Sequence, residues 1–145
     1  SGLADDGSSA ISIIGNILDD DSDDWYVISA VDDINEDLSL GFDTFNFEVS
    51  FGSGSTDYSM VVYAGSADVT SLECSNTGYT SYSDFNQDIG EADHAIPAEF
   101  RACGNASAEY NNCEDDSKEY YIHIFRKTAV SSCQGYEIDI TNGVW

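Results

Sequence analysis

Apolar and polar positions alternate along much of the chain with the period of two that marks half-buried strands. In Thr44–Phe51, Phe45, Phe47, Val49 and Phe51 fall on one face, and Thr44, Asn46, Glu48 and Ser50 on the other. In Glu119–Arg126, Tyr121, His123 and Phe125 alternate with Tyr120, Ile122, Ile124 and Arg126. In Gln134–Ile140, Tyr136, Ile138 and Ile140 oppose Glu137 and Asp139. Trp25–Val31 sets Trp25, Val27 and Ser29 against Tyr26, Ile28 and Ala30. Both of its faces are largely apolar, which predicts a strand inside a sandwich with its outer face partly covered.

Weaker patterns fill the intervals. Ile11–Leu18 reads as a short edge strand or two fragments broken at Gly15-Asn16. Asp57–Ala64 reads as a strand paired in a hairpin with the run before it, across the turn Gly52-Ser53-Gly54-Ser55. Residues 32–40, DDINEDLSL, carry high charge density and no sustained 3.6-residue period, which favours a loop over a helix. Thr70–Asn112 is irregular, with short strands expected around Tyr79–Tyr82 and Glu99–Ala102. Several strands with turn-rich joins and no regular alternation of strand and helix predict an all-β antiparallel sandwich or jelly-roll-like module with long disulfide-tied loops.

Length and composition are consistent with that fold. A chain of 145 residues supports one ordinary core. Residues 1–10, SGLADDGSSA, read as a leader or linker, with Asp5 and Asp6 able to fold back onto an ion site, and residues 11–145 as a single domain. The Ser-Gly start looks like a domain excised from a longer precursor, no signal peptide is present, and no apolar run is long enough to cross a membrane. A secreted or cell-surface location is expected.

Charge narrows the partners. With 28 acidic residues against four Lys or Arg, the net charge is −24, a field that repels phosphate backbones and anionic headgroups and attracts cations. Neither nucleic acid binding nor membrane insertion is expected. Repulsion of this size opposes folding unless ions bind or salt screens it, so specific calcium binding and salt adaptation both fit. Arg101, Arg126, Lys118 and Lys127 are expected to neutralise local carboxylates or remain solvated.

The acidic run Asp19, Asp20, Asp21, Asp23 and Asp24 enters directly into Trp25-Tyr26. Calcium takes six to eight oxygen ligands, and this cluster, with Asp5 and Asp6 and with Asp32 and Asp33 (Asn35 and Glu36 beside them), supplies carboxylates in abundance without matching an EF-hand. A solvated acidic loop is the plainer reading of the same run. Cys74, Cys103, Cys113 and Cys133 fit two disulfides in an oxidising compartment. Of three pairings, Cys74 with Cys103 and Cys113 with Cys133 is preferred, each closing a segment beside a predicted strand edge. Close Cys-x-x-Cys spacing is absent, which argues against structural zinc.

Gly15-Asn16-Ile17, Asp23-Asp24-Trp25-Tyr26, Tyr58–Tyr63, Tyr120–Phe125 and Gly135–Ile138 together resemble the bacterial pre-peptidase C-terminal domain, similar to collagenase collagen-binding domains, over roughly residues 11–142. The resemblance implies a non-catalytic accessory role in maturation, adhesion or substrate anchoring beside the other domains of a parent protein. It also implies a calcium site whose leader ligands would correspond to Asp5 and Asp6.

Catalytic signals are sparse. Carboxylates are too abundant for any pair to stand out as a hydrolytic couple, and there is no Gly-x-Ser-x-Gly elbow. His94 reads as a surface residue and His123 as a structural one. Tyr79, Tyr82 and Tyr110 are candidates for stacking on a glycan or an extracellular matrix polymer, or else for packing within the fold.

Overall fold

A computed structural model describes residues 2–7, 9–18, 23–65, 80–83, 103, 113–127 and 134–143. Two four-stranded sheets face each other as a sandwich. The first has the order β1-β3-β7-β5, with β1 at Leu3–Ala4, β3 at Asp23–Val31, β5 at Tyr58–Ala64 and β7 at Lys118–Arg126. The second has the order β2-β8-β4-β6, with β2 at Ala10–Gly15, β4 at Glu48–Ser53, β6 at Ser81–Ser83 and β8 at Tyr136–Thr141. All pairings are antiparallel except β1 with β3.

The strands follow the expected alternation. Tyr120, Ile122 and Ile124 from β7 meet Tyr136, Ile138 and Ile140 from β8 in the core. Phe47 lies flat on Tyr120 with ring centroids 3.7 Å apart. As expected, β2 is an edge strand, with Ile11 and Ile13 against the core. Tyr26, Ile28 and Ala30 face inward from β3, while Trp25, Val27 and Ser29 face out.

Three expectations are corrected. First, β4 and β5 do not form a hairpin. β4 already has β8 on one edge and β6 on the other, so no edge is left for β5, which pairs with β7 across the sandwich. The chain crosses between sheets at Gly54, whose φ of 87° and whose close approach to the backbone of Tyr136 both favour glycine. Second, the run expected as a strand from Thr44 becomes β4 only at Glu48. Residues 43–47 are irregular and buried throughout, Thr44 and Asn46 included, because the polar members are hydrogen-bonded inside the fold.

Third, residues 34–40 form a helix, α1 (Ile34–Leu40), where a loop was favoured. The Asp33 side chain caps its N-terminus by accepting from Asn35 N, and Glu36 and Asp37 place negative charge in the first turn. Gly41 ends it in the left-handed conformation. Its buried residue is Asp37, while Leu38 and Leu40 are exposed, so no apolar stripe announces it.

The N-terminal segment is part of the fold. Leu3 is buried in the core, and β1 pairs with β3 through Leu3↔Ala30 and Ala4↔Val31. Asn142 Nδ2 donates to Leu3 O and Val31 O, fastening β1, β3 and the end of β8 together.

The Phe47–Tyr120 stack sits at the centre of this core, so Phe47→Ala is expected to cost about 3–5 kcal/mol. Ile14→Ala, at a site 77% exposed on an edge strand, should stay within about 0.5 kcal/mol. Urea denaturation of the two variants beside the parent chain measures both.

Candidate metal centre

At one end of the sandwich, Asp5, Asp32, Asp37 and Asp43 converge and are all buried. They come from four places: the residue after β1, the exit of β3, the middle of α1 and the irregular run before β4. One oxygen each from Asp5, Asp32 and Asp37 lie within 4.8 Å of one another. A calcium ion holds its oxygens at about 2.4 Å, so two of its ligands stand at most about 4.8 Å apart. The spacing suits a shared cation.

Hydrogen bonding holds these groups in place but leaves part of them without a donor. Asp5 Oδ2 accepts from Asp33 N at 3.0 Å. Asp37 Oδ1 accepts from Thr44 N at 2.7 Å and from the Thr44 hydroxyl at 2.6 Å. That hydroxyl also lies 3.1 Å from Asp5 Oδ2, and its single proton serves one carboxylate at a time. Asp32 Oδ2 accepts from Asp116 N at 2.8 Å. Asp32 Oδ1 and Asp37 Oδ2 are buried and have no hydrogen-bond partner. Asp37 is 0% exposed and Asp32 8%, so bulk solvent does not reach them, and an unsatisfied buried carboxylate is costly.

Electrostatics add to the strain. Burial pushes Asp32 up to about 8, reinforced by the nearby charges of Asp37 and Asp43 and by the Asp5 carboxyl, with which a protonated Asp32 would share its proton. Burial also pushes Asp43 up to about 7, although its oxygens accept from Phe45 N and Cys113 N, with Asp37 and Asp116 adding repulsion. A divalent cation would replace this repulsion with attraction.

The disulfide joins Cys103 to Cys113. This corrects the expected pairing of Cys74 with Cys103 and Cys113 with Cys133. Cys103 and Cys113 flank the acidic end with Cα atoms 5.3 Å apart, a spacing a disulfide requires. Cys103 N donates to Gly41 O just after α1, and Cys113 N to Asp43 Oδ2 at 2.7 Å. The bridge therefore fastens two loops onto the acidic centre. Cys113 Sγ lies near Asp37 and Asp43, but as a disulfide sulfur it is no thiolate ligand. Cys74 and Cys133 lie outside the described residues.

Of the other residues expected to bind metal, Asp6 and Asp33 are exposed, and Asp33 serves as the helix cap. Asp23 meets His123 Nε2 at 2.7 Å. Asp24 accepts from the Tyr136 hydroxyl at 2.5 Å, which itself meets the Tyr26 hydroxyl. Both stand at the start of β3, whereas Asp32 stands near its exit. Asp19, Asp20 and Asp21 lie outside the described residues, as do Tyr79 and Tyr110. Asn35 hydrogen-bonds Asp33. Tyr82 is partly buried against the core beside Tyr120. Sequence reasoning missed Asp37, Asp43 and Thr44. The available signal was Phe42-Asp43-Thr44-Phe45, a carboxylate enclosed in an aromatic run that a core must swallow.

With a chelator present, Asp32 and Asp43 bind protons more tightly folded than unfolded. Their contribution to stability is complete below about pH 4 and is lost as pH rises through about 7 and about 8. Thermal unfolding in chelator should therefore show a melting temperature that falls across that range, and bound calcium should flatten the slope. Replacing Cys103 and Cys113 by serine should weaken calcium affinity by about tenfold, read by calorimetry, because the Cys113 N–H would no longer be held against Asp43. Comparison of the chain with family models, with curated proteins and with solved structures found no match.

Proposed function

We propose that the chain is a calcium-stabilised, non-catalytic accessory module of an exported protein. One observation carries the reading: Asp32 Oδ1 and Asp37 Oδ2 are buried without donors beside the carboxylate of Asp5. A bound calcium would supply the missing charge and draw the segment after β1 to the β3 exit and α1. The donor set is oxygen, as calcium prefers, whereas zinc favours nitrogen and thiolate. Magnesium is the poorer fit, because it demands octahedral geometry and sheds its water reluctantly.

The disulfide supports an oxidising location, and among the described residues no helix is long and apolar enough to cross a membrane. The role agrees with what the resemblance to pre-peptidase C-terminal domains implies. His123 is tied to Asp23 and stacked on Trp25, contacts that support the structural role expected of it.

Titration of the oxidised chain should reveal a saturable calcium site. Calcium at a hundred times Kd should add about 2.7 kcal/mol of stability, while sodium chloride at equal ionic strength should add much less. Asp37→Asn keeps the Oδ1 acceptor for Thr44 and turns the unpartnered oxygen into an NH₂ donor facing carboxylates. The variant should match or exceed the parent's stability in chelator, yet lose the calcium increment. Equal stabilisation by sodium chloride, or an intact calcium increment in the variant, would sink the reading.

A further inference from the structure

The outer faces of the two sheets differ in character. On the β2-β8-β4-β6 sheet the outward positions include Ser12, Ser50, Glu137, Asp139 and Thr141, a polar surface interrupted by Ile14 on the edge strand β2. The β1-β3-β7-β5 sheet instead presents Trp25 and Val27 from β3, Tyr121, His123 and Phe125 from β7, and Tyr63 from β5. Trp25 is 45% exposed and Val27 55%. In a chain this acidic, a contiguous aromatic and aliphatic strip on an outer face is a feature to be explained.

The strip is rigid. The Trp25 indole lies parallel to the His123 ring, with centroids 4.2 Å apart, and within 5.9 Å of the Tyr63 ring. Trp25 Nε1 donates to Asp23 Oδ2, the same oxygen that meets His123 Nε2. On the neighbouring strand the Tyr121 hydroxyl donates to Glu119. An exposed tryptophan fixed by a stack and a hydrogen bond loses little freedom when something lies on it, which favours binding.

Charge selects the occupant. Asp23 and Glu119 stand at the two ends of the strip, and among the described residues the cations of β7 are turned elsewhere: Lys118 lies over the Phe45 ring, and Arg126 donates to Ile17 O and lies over Tyr58. A second copy of the chain would bring another −24 charges to the same face and be repelled. A neutral glycan would gain nothing from the flanking carboxylates' charge. A guanidinium or ammonium group gains both from the tryptophan face and from the acidic field.

We propose that this face, centred on Trp25, docks an extended polypeptide segment bearing arginine or lysine, with its cationic side chains over Trp25 and against Asp23 and Glu119. The strip lies on the outer surface of the β1-β3-β7-β5 sheet, whereas the carboxylates of the acidic end are buried, so the proposal stands apart from the calcium reading.

The test is a titration of the whole chain, followed by NMR, with a blocked arginine-containing peptide. An isosteric citrulline peptide and cellohexaose are run in parallel. The arginine peptide should shift the Trp25 indole N–H and the amides of Val27, Tyr121 and His123, and the citrulline peptide should not. Affinity should fall about tenfold in Trp25→Ala, and by a similar factor between about 50 and 300 mM salt. Glu119→Lys, a charge reversal at an exposed position, should also weaken binding and provides a second variant should Trp25→Ala fold poorly. Shifts spread over all acidic surfaces and unchanged by either variant would overturn the proposal. So would cellohexaose shifting Trp25 where the arginine peptide does not, or concentration-dependent self-association through this face.

Discussion

Carboxylates taken out of water without enough donors are the constraint on which this end of the fold depends. Asp5, Asp32, Asp37 and Asp43 are the points where β1 ends, β3 ends, α1 turns inward and the chain enters β4. Removing any one would relieve charge but also cut a fastening. Asp5 receives Asp33 N, Asp37 receives Thr44, Asp32 receives Asp116 N, and Asp43 receives Cys113 N. The hydrogen bonds fix geometry, yet they leave charge behind, and only a proton or a cation can balance it. A proton would do so at the expense of stability at neutral pH, whereas a cation would not.

Salt and coordination act on different acids in this chain. The surface carboxylates that dominate the net charge repel one another through solvent, and mobile ions screen them within about 10 Å at ordinary ionic strength. Asp37 has no exposure at all, so that atmosphere does not reach it. Salt adaptation and calcium binding, which composition leaves as rivals, are therefore separable by location. Sodium chloride addresses the outside of the sandwich, whereas the acidic end is neutralised only by a proton or a coordinated ion.

The sequence revealed the elements whose residues alternate cleanly and obscured those governed by long-range contacts. β3, β7 and β8 were legible because Ile28 and Ala30, Ile122 and Ile124, and Ile138 and Ile140 recur at alternate positions on inward faces. α1 was not, because a helix that buries an aspartate and exposes two leucines inverts the pattern that periodicity detects. Asp5 and Asp32 were named for the ion from their charge, and they do meet; Asp37 and Asp43 could not be ranked above two dozen other acids without knowing that the chain folds them inward. Within the dense run Asp19–Asp24, Asp23 and Asp24 are engaged with His123 and Tyr136, at the other end of β3 from Asp32.

The disulfide illustrates the same limit in energetic terms. Cys103 and Cys113 are separated by 10 positions, whereas the expected pairing of Cys74 with Cys103 would close a loop nearly three times longer. Loop-closure entropy favours the longer loop by only about 1 kcal/mol, too little to choose between pairings when a local fit can contribute as much. Here the fit is specific: Cys113 adopts a positive φ of 58°, and its N–H points at Asp43 Oδ2. A single hydrogen bond to a buried carboxylate contributes about 1.5–3 kcal/mol, which exceeds the entropic preference. The pairing therefore follows the acidic centre, and the bridge acts through where it holds the Cys113 amide more than through the length of chain it closes.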